Sequence, residues 1–209
     1  LAFSPDGQTL ASGDQNGKLK IWEVRTGKEK YSLAAHDRPI WSIAYHPNGE
    51  TIASGSQDRT IKLWQPKTGK KVGTFNGHSN AVFSIAFSPD GKKIVSGGWD
   101  HSLRIWNVAD GKKIKTLLGH EDQVTSVSFS PDGKWIVSGD ESGTLEVRDA
   151  GAPTFGALAM GGCAPLTLSS SCVLRSHFCT QGEEAQRARQ LHPLGGLLAR
   201  RLKDRLGLV

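Results

Sequence analysis

The chain has 209 residues, of which 37% are hydrophobic and 22% charged, with a net charge of +6. That is enough chain for one or two domains with an apolar core, and the composition is ordinary for a soluble globular protein. No apolar run reaches the ~18 residues of a membrane-spanning helix.

In chain order, the first 150 residues are organised by an internal repeat. FSPDG occurs at 3–7, 87–91 and 129–133, and its variant YHPNG at 45–49, each 42 residues after the last. Trp22, Trp64 and Trp106 keep the same step, with Arg148 at the fourth position, as do His36, His78 and His120 at the ends of AH, GH and GH. The chain opens at Leu1 inside a copy of this repeat, so its true start is expected upstream.

Each unit predicts four short strands. In the unit 78–119, VFSIAF stops at Ser-Pro-Asp-Gly, where Pro sets φ and Gly takes the positive φ of a tight turn. KKIVSGG and SLRIWNV are the second and third strands, the latter with Leu103 and Ile105 on one face and Arg104 and Trp106 on the other. Ala-Asp-Gly turns the chain into KKIKTLL, the fourth strand. This antiparallel meander leaves two faces to cover, and stacked copies cover them.

A period of 42 residues with four strands per unit is the arithmetic of a β-propeller blade. With Gly-His before the first strand and Trp near the end of the third, residues 1–149 resemble the WD-repeat family. The fold class expected is therefore all-β, with about four blades (1–35, 36–77, 78–119 and 120–149) of an incomplete propeller. Its two open radial faces are expected to favour self-association, and residues 150–209 are expected to be a tail outside the propeller.

The resemblance implies a hydrogen-bonded set in each blade: His36, Ser54, Asp58 and Trp64 in the second, and His78, Ser96, Asp100 and Trp106 in the third. A His-Ser-Asp list suggests a hydrolase, but a catalytic triad is built once, at one geometry. A set that recurs with the spacing of the repeat belongs to the scaffold. In the first blade Asn16 replaces the Asp. In the fourth, Ser142 and Arg148 replace Asp and Trp, so the network is expected to fail there and the blade to be the least stable.

Partners of this family dock on the face that carries the Gly-His loops and the turn Asp. The positions before the turn Asp are Gln15, Gln57, Trp99 and Glu141, and those at the start of the first strand are Trp41, Phe83 and Thr125. Trp99 does not recur, which favours a contact over a scaffold role, because Trp is prominent in binding hot spots. The expected partner site is Trp99 with Trp41, Phe83, Gln57, Thr125 and Glu141, Trp41, Phe83 and Trp99 forming one aromatic patch. The partners expected are other proteins or peptides. Lys112, Lys113 and Lys115 fall on outer strands, where charge discourages sheet-to-sheet pairing, and no basic run carries stacking aromatics for single strands. Neither direct nucleic-acid binding nor membrane binding is expected.

After Asp149 the period stops. FGALAMGG, 155–162, is the candidate for a last outer strand, and 163–182 reads as loop or disorder. The stretch 183–209 offers two short helical pieces, with Leu194, Leu198, Leu202 and Leu206 at i, i+4 spacing among basic residues. Cys163, Cys172 and Cys179 lack the close pairing of zinc ligands, and no metal or cofactor is expected. An odd cysteine count, all of it outside the body, suits a reducing compartment. The tail is expected to come from an alternative exon, an intron read-through or a shifted frame.

The chain lacks a P-loop, HExxH or kinase glycine loop. The function expected is a non-catalytic interaction scaffold in cytoplasm or nucleus, the alternative being the propeller portion of a multidomain kinase or signalling ATPase. Within the family, residues 1–33 and 42–58 resemble the central repeats of the WD subunit shared by the superkiller RNA-decay complex and the Paf transcription complex, which implies a role in RNA decay or transcription.

Overall fold

The computed structural model describes residues 1–151 and the backbone of 171–175. Its regular elements are sixteen strands in four antiparallel sheets of four. The first sheet holds β1 (Ala2–Phe3), β2 (Thr9–Gly13), β3 (Lys18–Glu23) and β4 (Glu29–Ala34). The second holds β5 (Ile40–Tyr45), β6 (Ile52–Ser56), β7 (Thr60–Trp64) and β8 (Lys71–Asn76), and the third β9 (Val82–Phe87), β10 (Lys93–Gly98), β11 (Leu103–Asn107) and β12 (Lys113–Leu117). The fourth holds β13 (Val124–Phe129), β14 (Trp135–Asp140), β15 (Thr144–Asp149) and β16 (Ser171–Arg175).

The FSPDG hairpins form as their residues dictate. At 88–93 the Ser88 hydroxyl donates to Asp90 Oδ1 at 2.5 Å and accepts from Lys93 N at 2.9 Å, while Gly91 takes φ 71°. Ser4 with Asp6 and Ser130 with Asp132 repeat the pattern. At 46–49 His46 replaces the Ser and bonds differently, its Nδ1 accepting from Asn48 N at 3.1 Å.

The core lies between sheets. Leu19, Ile21 and Ala11 of the first sheet pack on Ile40, Ile43, Ile52 and Trp64 of the second. Ala53, Ile61, Leu63 and Phe75 then meet Val82, Ile85, Ile94 and Trp106. Val95, Leu103, Ile105 and Leu117 meet Val124, Val127 and Ile136. Leu103 and Ile105 thus face one junction and Trp106 the other, as the alternation along β11 predicts. The inner strands of neighbouring sheets are also joined by side chains, with Ile85 N donating to Ser42 Oγ and Val127 N to Ser84 Oγ, both at 3.1 Å.

The outer strand of the fourth sheet departs from expectation. Its place is taken by β16, within the stretch read as loop or disorder. β15 needs an antiparallel neighbour on its outer side, and the chain supplies one later than the period places it. The segment 155–162, the helical pieces and the cysteine side chains lie outside the described residues. No helix among the described residues is long and apolar enough to cross a membrane, and no group of three or more His, Cys, Asp or Glu there is placed to hold a metal.

Candidate protein-docking site

In the second, third and fourth sheets a buried relay lies beneath the candidate rim. In the second sheet the Trp64 indole N–H donates to Ser54 Oγ at 2.9 Å, Ser54 Oγ lies 2.7 Å from His36 Nε2, and His36 Nδ1 lies 2.7 Å from Asp58 Oδ2. The third repeats it through Trp106, Ser96, His78 and Asp100 at 2.8, 2.7 and 2.9 Å. Burial disfavours the charged ring, and in a neutral imidazole a proton on the nitrogen facing the carboxylate leaves Nε2 to accept from the Ser hydroxyl. Burial pushes the His36 and His78 rings below the ordinary histidine value. Burial alone would raise the Asp58 and Asp100 carboxyls, but hydrogen bonds from Thr60 and His36, and from His78 and Ser102, outweigh it and hold both below the carboxylate range.

The fourth sheet corrects an expectation: its relay does not fail. Asp140 takes the carboxylate role from two residues earlier, with Oδ2 2.8 Å from His120 Nδ1, and Ser138 Oγ lies 2.8 Å from Nε2. Glu146 lies 3.4 Å from His120 Nε2 and binds the Arg148 guanidinium that replaces the indole. Position 140 corresponds to Gly98 in the third sheet, where an added Cβ would lie 2.8 Å from His78 Nδ1 and 3.0 Å from Asp100 Oδ1. Two backbone positions therefore reach the same ring nitrogen, and the second, third and fourth sheets each use one. Asp14 in the first sheet shares this step with Asp140, which was the signal available in the sequence; its Oδ1 accepts from Asn16 N and Lys18 N. In that sheet Trp22 Nε1 still donates to Ser12 Oγ at 2.8 Å.

Above the relay, the residue before each turn is tied to the loop preceding the inner strand. Gln57 N donates to Pro39 O at 2.9 Å, Trp99 N to Ala81 O at 2.8 Å and Glu141 N to Gln123 O at 3.0 Å. Register shifts between Gly97 and Gly98 and at the matching places in β5 and β13 bend the strands here. This brings Trp99 onto Phe83, ring centroids 5.7 Å apart, and Phe83 onto Trp41 of the neighbouring sheet at 5.3 Å. Trp41 is 50% exposed and Trp99 40%. The three aromatic residues expected in one patch are in contact. Gln57, Thr125 and Glu141 extend the same rim by position, Thr125 with its hydroxyl on Gly139 O at 3.3 Å.

Such a surface, aromatic and partly exposed, can bury apolar area against a partner. The Ser96 hydroxyl beneath it is fully buried and already engaged by an indole and an imidazole, so the His-Ser-Asp geometry presents no accessible nucleophile.

Comparison with known proteins agrees with the four-sheet architecture. Over 51 residues, 21% of this chain and 11% of the relative, it is 45% identical to the probable cytosolic iron-sulfur protein assembly protein 1 of Cryptococcus neoformans var. neoformans serotype D. It is 40% identical over 43 residues to the periodic tryptophan protein 2 homolog of Dictyostelium discoideum, covering 21% of this chain and 5% of the relative. The crystal structure of the RRP9 WD40 repeats superposes with a TM-score of 0.65 at 26% identity, over 69% of this chain and 46% of that one. U3-55K superposes at 0.66 and 25% identity, over 70% and 47%. The chain spans under half of these solved chains and a small part of the curated relatives. Residues 1–172 match the family described as the IFT122 first beta-propeller, so the chain belongs to that family of WD-repeat β-propellers.

Proposed function

We propose that this propeller is a non-catalytic scaffold that docks a protein or peptide partner on the rim formed by Trp41, Phe83 and Trp99, with Gln57, Thr125 and Glu141 alongside. The observation that carries the reading is the contiguous, partly exposed aromatic cluster, within which Trp99 stands where the equivalent positions of the other sheets are Gln15, Gln57 and Glu141. The buried hydroxyls of the relay support a structural role for the His-Ser-Asp sets. A setting in RNA decay or transcription, in cytoplasm or nucleus, belongs to the same proposal and rests on the likeness of residues 1–33 and 42–58 to the superkiller and Paf subunit.

The test is Trp99→Ala. Proximity labelling in cells identifies candidate partners, and purified partner is then titrated against both forms. Binding is expected to weaken by roughly tenfold or more, about 1.4 kcal/mol, as for a hot-spot aromatic. The melting temperature should barely move, because the side chain is largely outside the core. A large stability loss with binding intact would sink the reading.

A further inference from the structure

The second and third sheets, which carry the aromatic cluster, share one further departure from the repeat. The left-handed position in the turn before the third strand is glycine in the first and fourth sheets, Gly17 and Gly143. In the second and third it is Arg59 and His101, at φ 72° and 59°. An L side chain is strained there, and glycine would remove the strain. Both residues are exposed, and neither makes a side-chain hydrogen bond or ion pair among the described residues. No contact within the described chain therefore offsets the strain. Both also border the cluster. His101 follows Trp99 by two residues, and Arg59 lies in the turn whose Gln57 N is tied to Pro39 O, two residues before Trp41.

Charge along this rim has a direction. The carboxylates of Asp58 and Asp100 turn inward onto His36 and His78, and are further matched by Lys62 at 3.7 Å and Arg104 at 3.2 Å. Across 37–41, 57–60, 79–83 and 99–102 the exposed ionisable side chains are Asp37, Arg38, Arg59 and His101. The position of Arg38 is Asn80 in the third sheet and Asp122 in the fourth, and that of Trp99 is Glu141 in the fourth. The rim thus runs from basic on the second sheet to acidic on the fourth, with Phe83 and Trp99 between. A guanidinium offers a planar fork to a carboxylate, and an imidazole offers an N–H. One such group in each of two separate turns suits separate single charges, not one dianion on which several donors converge.

We propose that the partner segment is acidic: an apolar side chain packs on Phe83 and Trp99, while Asp or Glu carboxylates beside it pair with Arg59 and His101, the acidic end lying toward the second sheet. This rests on the docking reading of the rim and adds the chemistry of the partner.

Selection of a random peptide library displayed on phage against the full chain tests it. Wild type is expected to enrich peptides in which an aromatic or aliphatic residue is flanked by Asp or Glu, and Trp99→Ala to lose the enrichment. An enriched peptide, titrated by fluorescence anisotropy, should bind Arg59→Gly and His101→Gly about threefold to tenfold more weakly. In the double variant its affinity should depend far less on salt. Neither variant should melt below wild type, because glycine suits the turn. Enriched peptides without acidic residues, binding unaffected by both glycine variants, or a lower melting temperature in them would each overturn the acidic partner and leave docking on the rim standing. No enrichment by wild type, or enrichment unchanged in Trp99→Ala, would overturn the rim itself and this proposal with it.

Discussion

The histidine relay gives the protein a calculable response to acid. His36 and His78 are neutral in the fold, their protonation opposed by burial, while in the unfolded chain they take up protons near the ordinary value of 6.5. The unfolded state therefore binds more protons below that value, and the contribution of these groups is full above it and shrinks as the pH falls. A second loss begins below 3.8, where Asp58, Asp100 and Asp140 protonate in the unfolded chain but not yet in the folded one. Urea midpoints measured from about pH 8 to about pH 5 should decline mainly in the lower half of that range; a flat profile would contradict neutral buried imidazoles. The sets at His36 and His78 were legible because their residues keep identical steps. Asp140 shares its step with Asp14 alone, and the steps of the second and third sheets could not register that a carboxylate two residues earlier reaches the same nitrogen.

The hairpins are the elements most fully encoded by local chemistry, since Ser, Pro, Asp and Gly each satisfy a separate backbone demand. The turn before each third strand is less well encoded. Its left-handed position is Gly17, Arg59, His101 and Gly143 in the four sheets, and only the outer two are glycine. Arg59 and His101 hold φ 72° and 59°, a region that costs an L-residue ~1–2 kcal/mol. His101→Gly removes that strain but adds freedom to the unfolded chain. The net expected is a gain of about 0.5–1 kcal/mol by urea denaturation, and a loss of stability would show that the His101 side chain has a role the turn does not explain. β16 was illegible because periodicity carries no information once the period ends. The contact of Trp41, Phe83 and Trp99 was legible because strand-start and turn positions of adjacent blades share one rim.

In the whole molecule, stability is distributed as in a one-dimensional array, each sheet contributing itself and its junctions. The second and third sheets have two apolar junctions each, and the first and fourth have one among the described residues. The fourth sheet retains its relay, so any weakness it has comes from its position and not from lost hydrogen bonds. Native-state hydrogen exchange should show the slowest amides in β6 and β10, around Ala53, Ile94 and Val95, and faster exchange at Leu10 and Val137. Equal protection across all four sheets would mean that junctions contribute little.

At Gly13, Gly55 and Gly97 an added Cβ would meet Ile40, Val82 and Val124 of the next sheet at 2.5, 3.0 and 2.5 Å. Each glycine is a notch that seats those side chains as plugs, and the series sets which changes in strand length the architecture can absorb. One residue added within a strand turns every later side chain in it to the opposite face, removing the plugs from their notches. Forty-two residues added as a complete sheet bring a notch and a plug together, and every joint on either side keeps its chemistry. Within its strands, therefore, the smallest length change that keeps every joint is a whole blade.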